Sequence, residues 1–406
     1  MSSFHVLIAG GGIGGLCLAQ GLRQAGISCT VFESTPGIVR AGYRLHMNSE
    51  GGHALRQCLP EHLYELYMET SGTPFPRDLL VVLDHLGNEV ATRPHIGPPN
   101  DPERPHTAVN RRTLRQIMAT GLDEVIRFGH TVTGFETDGE QVRLLFEDGS
   151  TATGDVLVAA DGINSAVRRQ LLPEVPVLDT GLIALYGLVP LTDELIARLP
   201  EAIFESFAGV VGPGGSMLGC GVFLPRTPIA EAVASLAPGA AIDPVGPRMM
   251  VNMHILPDSP LRPRIMGGDL TSPEAQHDVI REAVRGWDPA FVDLVEHIET
   301  GSIFPISLRY LEPAEPWSTS RVTLLGDAIH AMPPTFGAGA NTALRDAAAL
   351  TQALTAASRG DSPLLDAISA YEAEMRVEVY PILRAASDPR AFDADFLPDD
   401  VSIAGP

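Results

Sequence analysis

The 406-residue chain contains no lysine; all 28 of its basic residues are arginine. Chemistry that needs a side-chain amine is therefore excluded: a Schiff base, a lysine-borne chloramine, or the phosphate-gripping lysine of a P-loop. Cysteine is scarce. Cys17, Cys29, Cys58 and Cys220 form no C-x-x-C pair, which disfavours zinc and a redox dithiol, and no metal is expected. Cys17 and Cys29 fall in apolar periodic segments, as packed thiols do. That usage fits a reducing compartment, so a cytoplasmic location is expected. No stretch reaches the ~18 consecutive apolar residues of a membrane span. The N-terminus lacks the basic region of a signal peptide. Positive charge is also short, with 50 acids against 28 bases and a formal net charge of -22. A basic face for nucleic acid or an anionic membrane is not expected. Apolar residues make up 45% of the chain, enough for a full core.

Against these absences stands a strong local pattern at the N-terminus. The apolar run "FHVLIA" is followed by "GGGIGG", then by "LCLAQGLRQAG" with helical spacing, and a second apolar run ends at Glu33. This reads as strand, turn, helix and strand within residues 4–33. Further along, a helix is expected around 50–58 and a hairpin at "LLVVLDHLGNEVAT". Another helix is expected from "VNRRTLRQIMATGL", then meander strands with Asp-Gly turns at 138–139 and 148–149. Residues 176–305, rich in Pro, Gly and Met, read as a second, β-rich unit inserted into the first. Two amphipathic helices close the chain, ahead of a loosely held tail after Asp388.

Three motifs carry chemistry. In Gly10-x-Gly12-x-x-Gly15, Gly10 permits the tight turn, Gly12 lets a pyrophosphate approach the backbone, and Gly15 lets helix and strand pack closely. Ile13 and Gly14 open the helix, whose N-terminus offers free N–H groups. Glu33 can accept both hydroxyls of an adenosine ribose, which favours FAD or NAD over a 2′-phosphate. No second copy of the motif exists, so the chain has one dinucleotide fold. The second motif is "VLVAADGINSAVRR", where a strand ends at Asp161-Gly162 and Ser165 and Arg168 follow. The third is "GDAIHAMPPTFGAGANTALRDA". Asp327 can accept hydrogen bonds from a polyol, Pro333-Pro334 stiffens the approach, and Gly337, Gly339 and Ala340 leave the backbone bare before a helix that Asn341 can cap.

These motifs, in this order, resemble the class A flavoprotein aromatic hydroxylases, the family of p-hydroxybenzoate hydroxylase, salicylate hydroxylase and the tetracycline-inactivating monooxygenases. The resemblance covers most of residues 4–385 and is patchy over 176–310. It implies an α/β fold: a Rossmann-like FAD-binding domain (1–72, 101–175 and 306–360), an inserted β-sheet substrate domain (73–100 and 176–305), and a C-terminal helix and tail (361–406). It implies that Gly10, Gly12, Gly15 and Glu33 hold the ADP half of FAD. Asp161 and Gly162 serve FAD and NAD(P)H, braced by Arg168, and Asp327 holds the ribitol. The backbone of 339–341 faces the flavin ring edge, Arg111 contacts the flavin, and Arg40 lies near the pyrophosphate or the flavin entrance. Ala338 departs from the glutamine common in the family.

The implied activity is hydroxylation of an aromatic or polyketide-like small molecule in secondary metabolism. It would use NAD(P)H and O2 through an adduct at C4a of the flavin, in a monomer or homodimer. Baeyer–Villiger oxidation, epoxidation and non-redox use of the same scaffold stay open. A halogenase is excluded by the missing lysine and by the separation of Trp287 from Trp317. "GYRLHM" falls where the family's chain runs past the active site, making Arg44 and His46 candidates for substrate contact and catalysis. Pro334 is expected to shape the reactive face. His330 reads as a buried motif histidine rather than a base.

Overall fold

The computed structural model describes residues 4–38, 42–95, 97–213, 216–255, 259–264 and 272–392. The strand His5–Ala9 lies inside a five-stranded parallel sheet. Its order is Val322–Leu324, Val156–Ala159, His5–Ala9, Ser28–Glu33 and Ile126–Phe128. All-parallel sheets are covered on both faces, and these strands are accordingly almost wholly apolar and buried. Helices Ile13–Gln24 and Gly339–Arg359 pack together, with Leu16, Leu344 and Leu350 in the same core as Leu7 and Ile8. The two Asp-Gly turns join the antiparallel strands Val132–Thr137, Val142–Phe146 and Thr151–Gly154, and Gly139 and Gly149 take positive φ.

The second sheet has seven strands, in the order Phe304–Leu311, Val177–Pro190, Arg248–Ile255, Met217–Phe223, Phe207–Val211, Leu79–Asp84 and Glu89–Pro94. Strand alternation sorts its side chains. Met249, Val251, Met253 and Ile255 enter one core with Leu185, Val189, Leu218 and Phe291. Met250, Tyr186, Ala184 and Leu308 form the opposite face. The expected hairpin is the last pair of strands, and it joins this sheet through parallel pairing with Phe207–Val211. The strand Phe304–Leu311 crosses the expected boundary at 306 and pairs in this sheet from Phe304 to Leu311.

A two-stranded ribbon, Arg44–Met47 against Thr107–Asn110, lies between the two sheets. Residues 34–72 hold two helices rather than the one expected, Ser49–Cys58 and Glu61–Thr70. Pro60 caps the second, which buries Leu63, Tyr64, Leu66 and Tyr67. No helix among the described residues is long and apolar enough to cross a membrane.

The turn after the first strand leaves no tolerance. A Cβ on Gly15 would lie 2.1 Å from the Gly10 carbonyl oxygen, whereas one on Gly37 would meet nothing within 4 Å. Gly15→Ala should lower the unfolding free energy by about 1–3 kcal/mol through overpacking. Gly37→Ala should leave it nearly unchanged; chemical denaturation of the pair checks this.

Candidate active site

One cleft of about 520 Å³ runs from the glycine-rich turn to the Tyr186 and Met250 face of the seven-stranded sheet. Its floor is Gly12, Ile13, Gly14, Ala160 and Gly162; Asp327, Pro334, Gly337, Gly339 and Ala340 line its middle. Arg44, His46, Tyr186, Phe207 and Asn252 form its far wall.

The glycines at the floor have different reasons. Gly10, at φ +107°, would place a Cβ 2.3 Å from the Ala160 carbonyl oxygen, so it is fixed by packing against the Asp161 strand end. A Cβ on Gly12 would find its nearest neighbour 4.0 Å away, so this position is left open toward the cleft. Gly14 is pressed by Leu325, whose Cδ1 would lie 2.6 Å from an added Cβ. Gly162 holds φ +77°. Asp161 accepts from the Ala166 N–H at 3.0 Å through one oxygen, and its buried Oδ1 has no partner. Burial raises its pKa against the pull of Ser165 and nearby N–H groups. Arg168, fully buried, donates to the carbonyls of Ile163 (2.7 Å) and Ala328 (3.3 Å), tying the second motif to the third.

Glu33 is more committed than its motif position suggested. It accepts from Gly11 N–H (3.0 Å) and from the Thr35 N–H (3.0 Å) and hydroxyl (2.9 Å). Arg115 lies 3.4 Å from the same carboxylate and donates to the Gly11 carbonyl at 2.7 Å. Arg115 was not anticipated; its signal was the place one helical turn after Arg111. Arg111 opens the helix Arg111–Ala119 and sits over the Tyr43 ring at 5.5 Å. Its neighbour Arg112 pairs with Asp243 instead. Arg40 lies outside the described residues.

Asp327 is exposed, but into the cleft, and no protein donor among the described residues bonds its carboxylate. The surrounding protein raises its pKa, while His330 and Arg111 oppose the rise. His330 is buried, 2.6 Å from Asp346, which also accepts from Gly326 N–H at 2.9 Å. Burial pulls the His330 imidazole down, and Asp346 with Asp327 more than offsets this, leaving its pKa above the ordinary value. Its role is structural, as read from the motif.

Asn341 does not cap its helix; Ala338 occupies that position. Asn341 is the third helical residue, 1% exposed, with its side chain turned to the protein. It accepts from Asn48 N–H and donates to the carbonyls of His46 and Gly337, each at 3.0 Å. The first helical bond runs from Thr342 N–H to Ala338. The N–H groups of Gly339, Ala340 and Asn341 therefore remain as the free donors of this helix end.

The far wall is built by glycine. A Cβ on Gly221 would lie 2.9 Å from Arg44 Cδ, and one on Gly219 would lie 1.9 Å from Asn252 Oδ1. Arg44 is 7% exposed, with its guanidinium 5.5 Å from the Phe75 ring centre and 5.4 Å from that of Phe207. Its Nε has no partner, no carboxylate pairs with it among the described residues, and burial lowers its pKa to about 10. His46 lies beside Gly337 and 3.0 Å from His95. Burial, then the charges of His95, Arg44 and His106, hold His46 well below its ordinary pKa. Tyr186 stacks on Phe304 at 5.5 Å, with Tyr43 against both.

The open Gly12, Gly162 on the cleft floor, the free Asp327 carboxylate and the free N–H groups of 339–341 fit one extended ligand. That ligand has a pyrophosphate, a polyol and an electron-accepting ring, which is FAD. Fold and site thus define a flavoprotein with a single dinucleotide fold. Two family descriptions match the chain: "FAD binding domain" over residues 268–383 and "NAD(P)-binding Rossmann-like domain" over 8–56. A crystal structure from Photorhabdus luminescens, assigned as an FAD-containing monooxygenase, is 32% identical with a TM-score of 0.78. The match covers 96% of this chain and 98% of that one. The chain belongs to the FAD-dependent monooxygenases, the class A family its motifs resemble. A dual O-methyltransferase/FAD-dependent monooxygenase of Cercospora beticola is 32% identical over 91% of this chain, which spans 44% of that relative's length. A 6-methylsalicylate 1-monooxygenase of Aspergillus terreus is 29% identical over 85% of this chain and 73% of its own.

Asp327→Ala should weaken FAD about ten- to a hundredfold, the worth of charge-assisted hydrogen bonds. Gly12→Ala should fold normally and also lose FAD affinity; flavin fluorescence titration and thermal melts separate the two effects. The raised His330 pKa makes its ion pair with Asp346 a low-pH contribution. It is fully present below the unfolded histidine value and lost as pH rises through the folded one. The stability advantage of wild type over His330→Gln should therefore be largest below the ordinary histidine value of about 6.5 and shrink as pH rises above it, measured by denaturant midpoints.

Proposed function

We propose that this protein is an FAD-dependent NAD(P)H monooxygenase that hydroxylates an aromatic or polyketide-like small molecule bearing an ionised oxygen, in secondary metabolism. The observation that carries the reading is the single continuous cleft, which joins the FAD-fitting floor to an aromatic wall holding an unpaired arginine. When bound, the flavin accepts hydride from NAD(P)H and activates O2 for transfer to the substrate.

The chain's own residues bind and orient around that chemistry. Asp327 holds the polyol, and the N–H groups of Gly339, Ala340 and Asn341 stabilise negative charge on the ring edge. The open Gly12 receives the pyrophosphate. Gly162 borders the cofactor, with Asp161 bracing the turn behind it through the Ala166 N–H, and Arg111 lies beside it over Tyr43. On the far wall, Arg44 pairs with the ionised substrate oxygen. Tyr43, Tyr186 and Phe304 present an apolar stack that excludes water from the reacting carbon. Tyr186, raised to about 12 by burial despite its bond to Asn252, stays a neutral phenol and serves as a wall, not a base. His46, kept neutral by burial, lines the cleft beside Gly337. Pro334 fixes the loop that separates the two halves of the cleft.

The test is anaerobic reduction of the purified flavoprotein by NADPH and by NADH, with and without a panel of phenols, hydroxyaromatic acids and polyketide enols. Bleaching of the flavin band accelerated by an anionic panel member is expected. A flavin that neither nucleotide reduces under any condition would overturn the reading. Arg44→Met should raise KM for the accelerating compound by about a hundredfold, the scale for losing one partner of a buried charge pair, with FAD content unchanged.

A further inference from the structure

Three histidines from separate segments meet on the cleft wall. His46 lies on the ribbon strand Arg44–Met47, His95 follows the strand Glu89–Pro94, and His106 precedes Thr107–Asn110. One ring nitrogen of each lies within 4.8 Å of the others. The ring centres are 4.3 Å apart for His46 and His95, 5.4 Å for His46 and His106, and 4.9 Å for His95 and His106. We infer that His46, His95 and His106 form a binding site for a divalent transition-metal ion such as Zn²⁺, with Asp78 as the carboxylate behind His106.

Donor geometry supports this. His106 is 5% exposed, and its Nδ1 lies 2.9 Å from Asp78 Oδ1 while its backbone N–H donates to Asn100 at 2.9 Å. The carboxylate fixes the proton on Nδ1, which leaves Nε2 with a free lone pair; that Nε2 is buried and has no partner. A histidine held by a carboxylate with its other nitrogen bare is the usual arrangement behind a metal ligand. His46 and His95 face each other Nε2 to Nε2 at 3.0 Å. As a hydrogen bond this pair uses one proton and one lone pair; around a cation both lone pairs point inward. Ligands at about 2.0–2.1 Å in a tetrahedral site stand about 3.3 Å apart, so small ring rotations complete the set.

The choice of ion follows from the donors. Three imidazoles without thiolate select zinc, copper, nickel or iron(II) and exclude calcium and magnesium. His46 and His95 both line the cleft, so the remaining coordination positions open onto it. The Arg44 cation nearby disfavours a second positive charge, and an anionic oxygen donor in the cleft offsets it. No sequence spacing announces the site, since His46 and His95 are 49 residues apart.

The test uses tag-free, FAD-loaded protein stripped with EDTA and titrated with Zn²⁺ alone against a chromophoric chelator. One zinc per chain, with Kd tighter than about 10 μM, is expected. His95→Ala and His106→Ala should each weaken it at least a hundredfold, and Asp78→Asn about ten- to a hundredfold. Cu²⁺ in place of zinc should give an electron paramagnetic resonance spectrum with imidazole nitrogen coupling that is lost in His95→Ala. Flavin circular dichroism and melting temperature report whether each variant is folded, and His95, partly exposed, carries the test if His106→Ala does not fold. Absence of stoichiometric zinc, or zinc binding unchanged in a folded His95→Ala, overturns the site. Zinc uptake is read without turnover, so its failure is distinguishable from failure of NAD(P)H to reduce the flavin.

Discussion

The carboxamide of Asn341 joins the two halves of the cleft. Its three hydrogen bonds clamp the ribbon residues His46 and Asn48 to the Gly337 loop and to the start of the helix Gly339–Arg359. A buried amide whose oxygen and nitrogen are both satisfied by backbone permits little rotation. Arg44 and His46 are thereby held at a fixed distance from the free N–H groups of Gly339, Ala340 and Asn341. Gly51 serves the same clamp, since a Cβ there would fall 2.2 Å from Asn341 Oδ1. The cofactor half of the cleft also depends on a buried polar bridge. Asp346 receives both Gly326 and His330, and so sets the strand end from which Asp327 projects.

What was legible in the sequence was local. Gly10, Gly12 and Gly15 announce the turn because the backbone constraint lies within six residues, and Asp327 because it follows an apolar strand and precedes a bare loop, although the strand stops at Leu324 and Asp327 opens the short helix Asp327–His330. What was not legible depends on partners distant in the chain. Asn341 looked like a cap from its place beside a helix start, yet two of its three partners, Asn48 and His46, are nearly three hundred residues away. Arg115 had only its place one turn after Arg111 as a signal, for the same reason: Gly11 and Glu33, which it ties together, belong to a different part of the sequence. The helix Glu61–Thr70 was missed because Pro60 and the polar residues around it resemble a loop, while its apolar stripe finds a partner only in the folded core. Gly219 and Gly221 carry no signal of their own in the sequence, and their purpose is evident only once Asn252 and Arg44 are seen to occupy the space they leave.

An arginine-only chain gives its cations persistent charge and fork-shaped donors. Arg115 and Arg168 use that shape to bind backbone carbonyls inside the fold. Arg44 is different. Burying a cation costs several kcal/mol, and no carboxylate among the described residues returns that energy. The faces of Phe75 and Phe207 each recover about 0.5–2 kcal/mol, so a deficit remains in the free protein. An anion entering the cleft removes it, whereas a neutral isostere of the same shape leaves the guanidinium unpaired in a drier place than before. Under the proposed function, selectivity for an ionised ligand follows from the burial itself. The overall charge of -22 does not defeat this, because exposed acids are screened over about 8–10 Å in physiological salt, and the buried guanidinium is not.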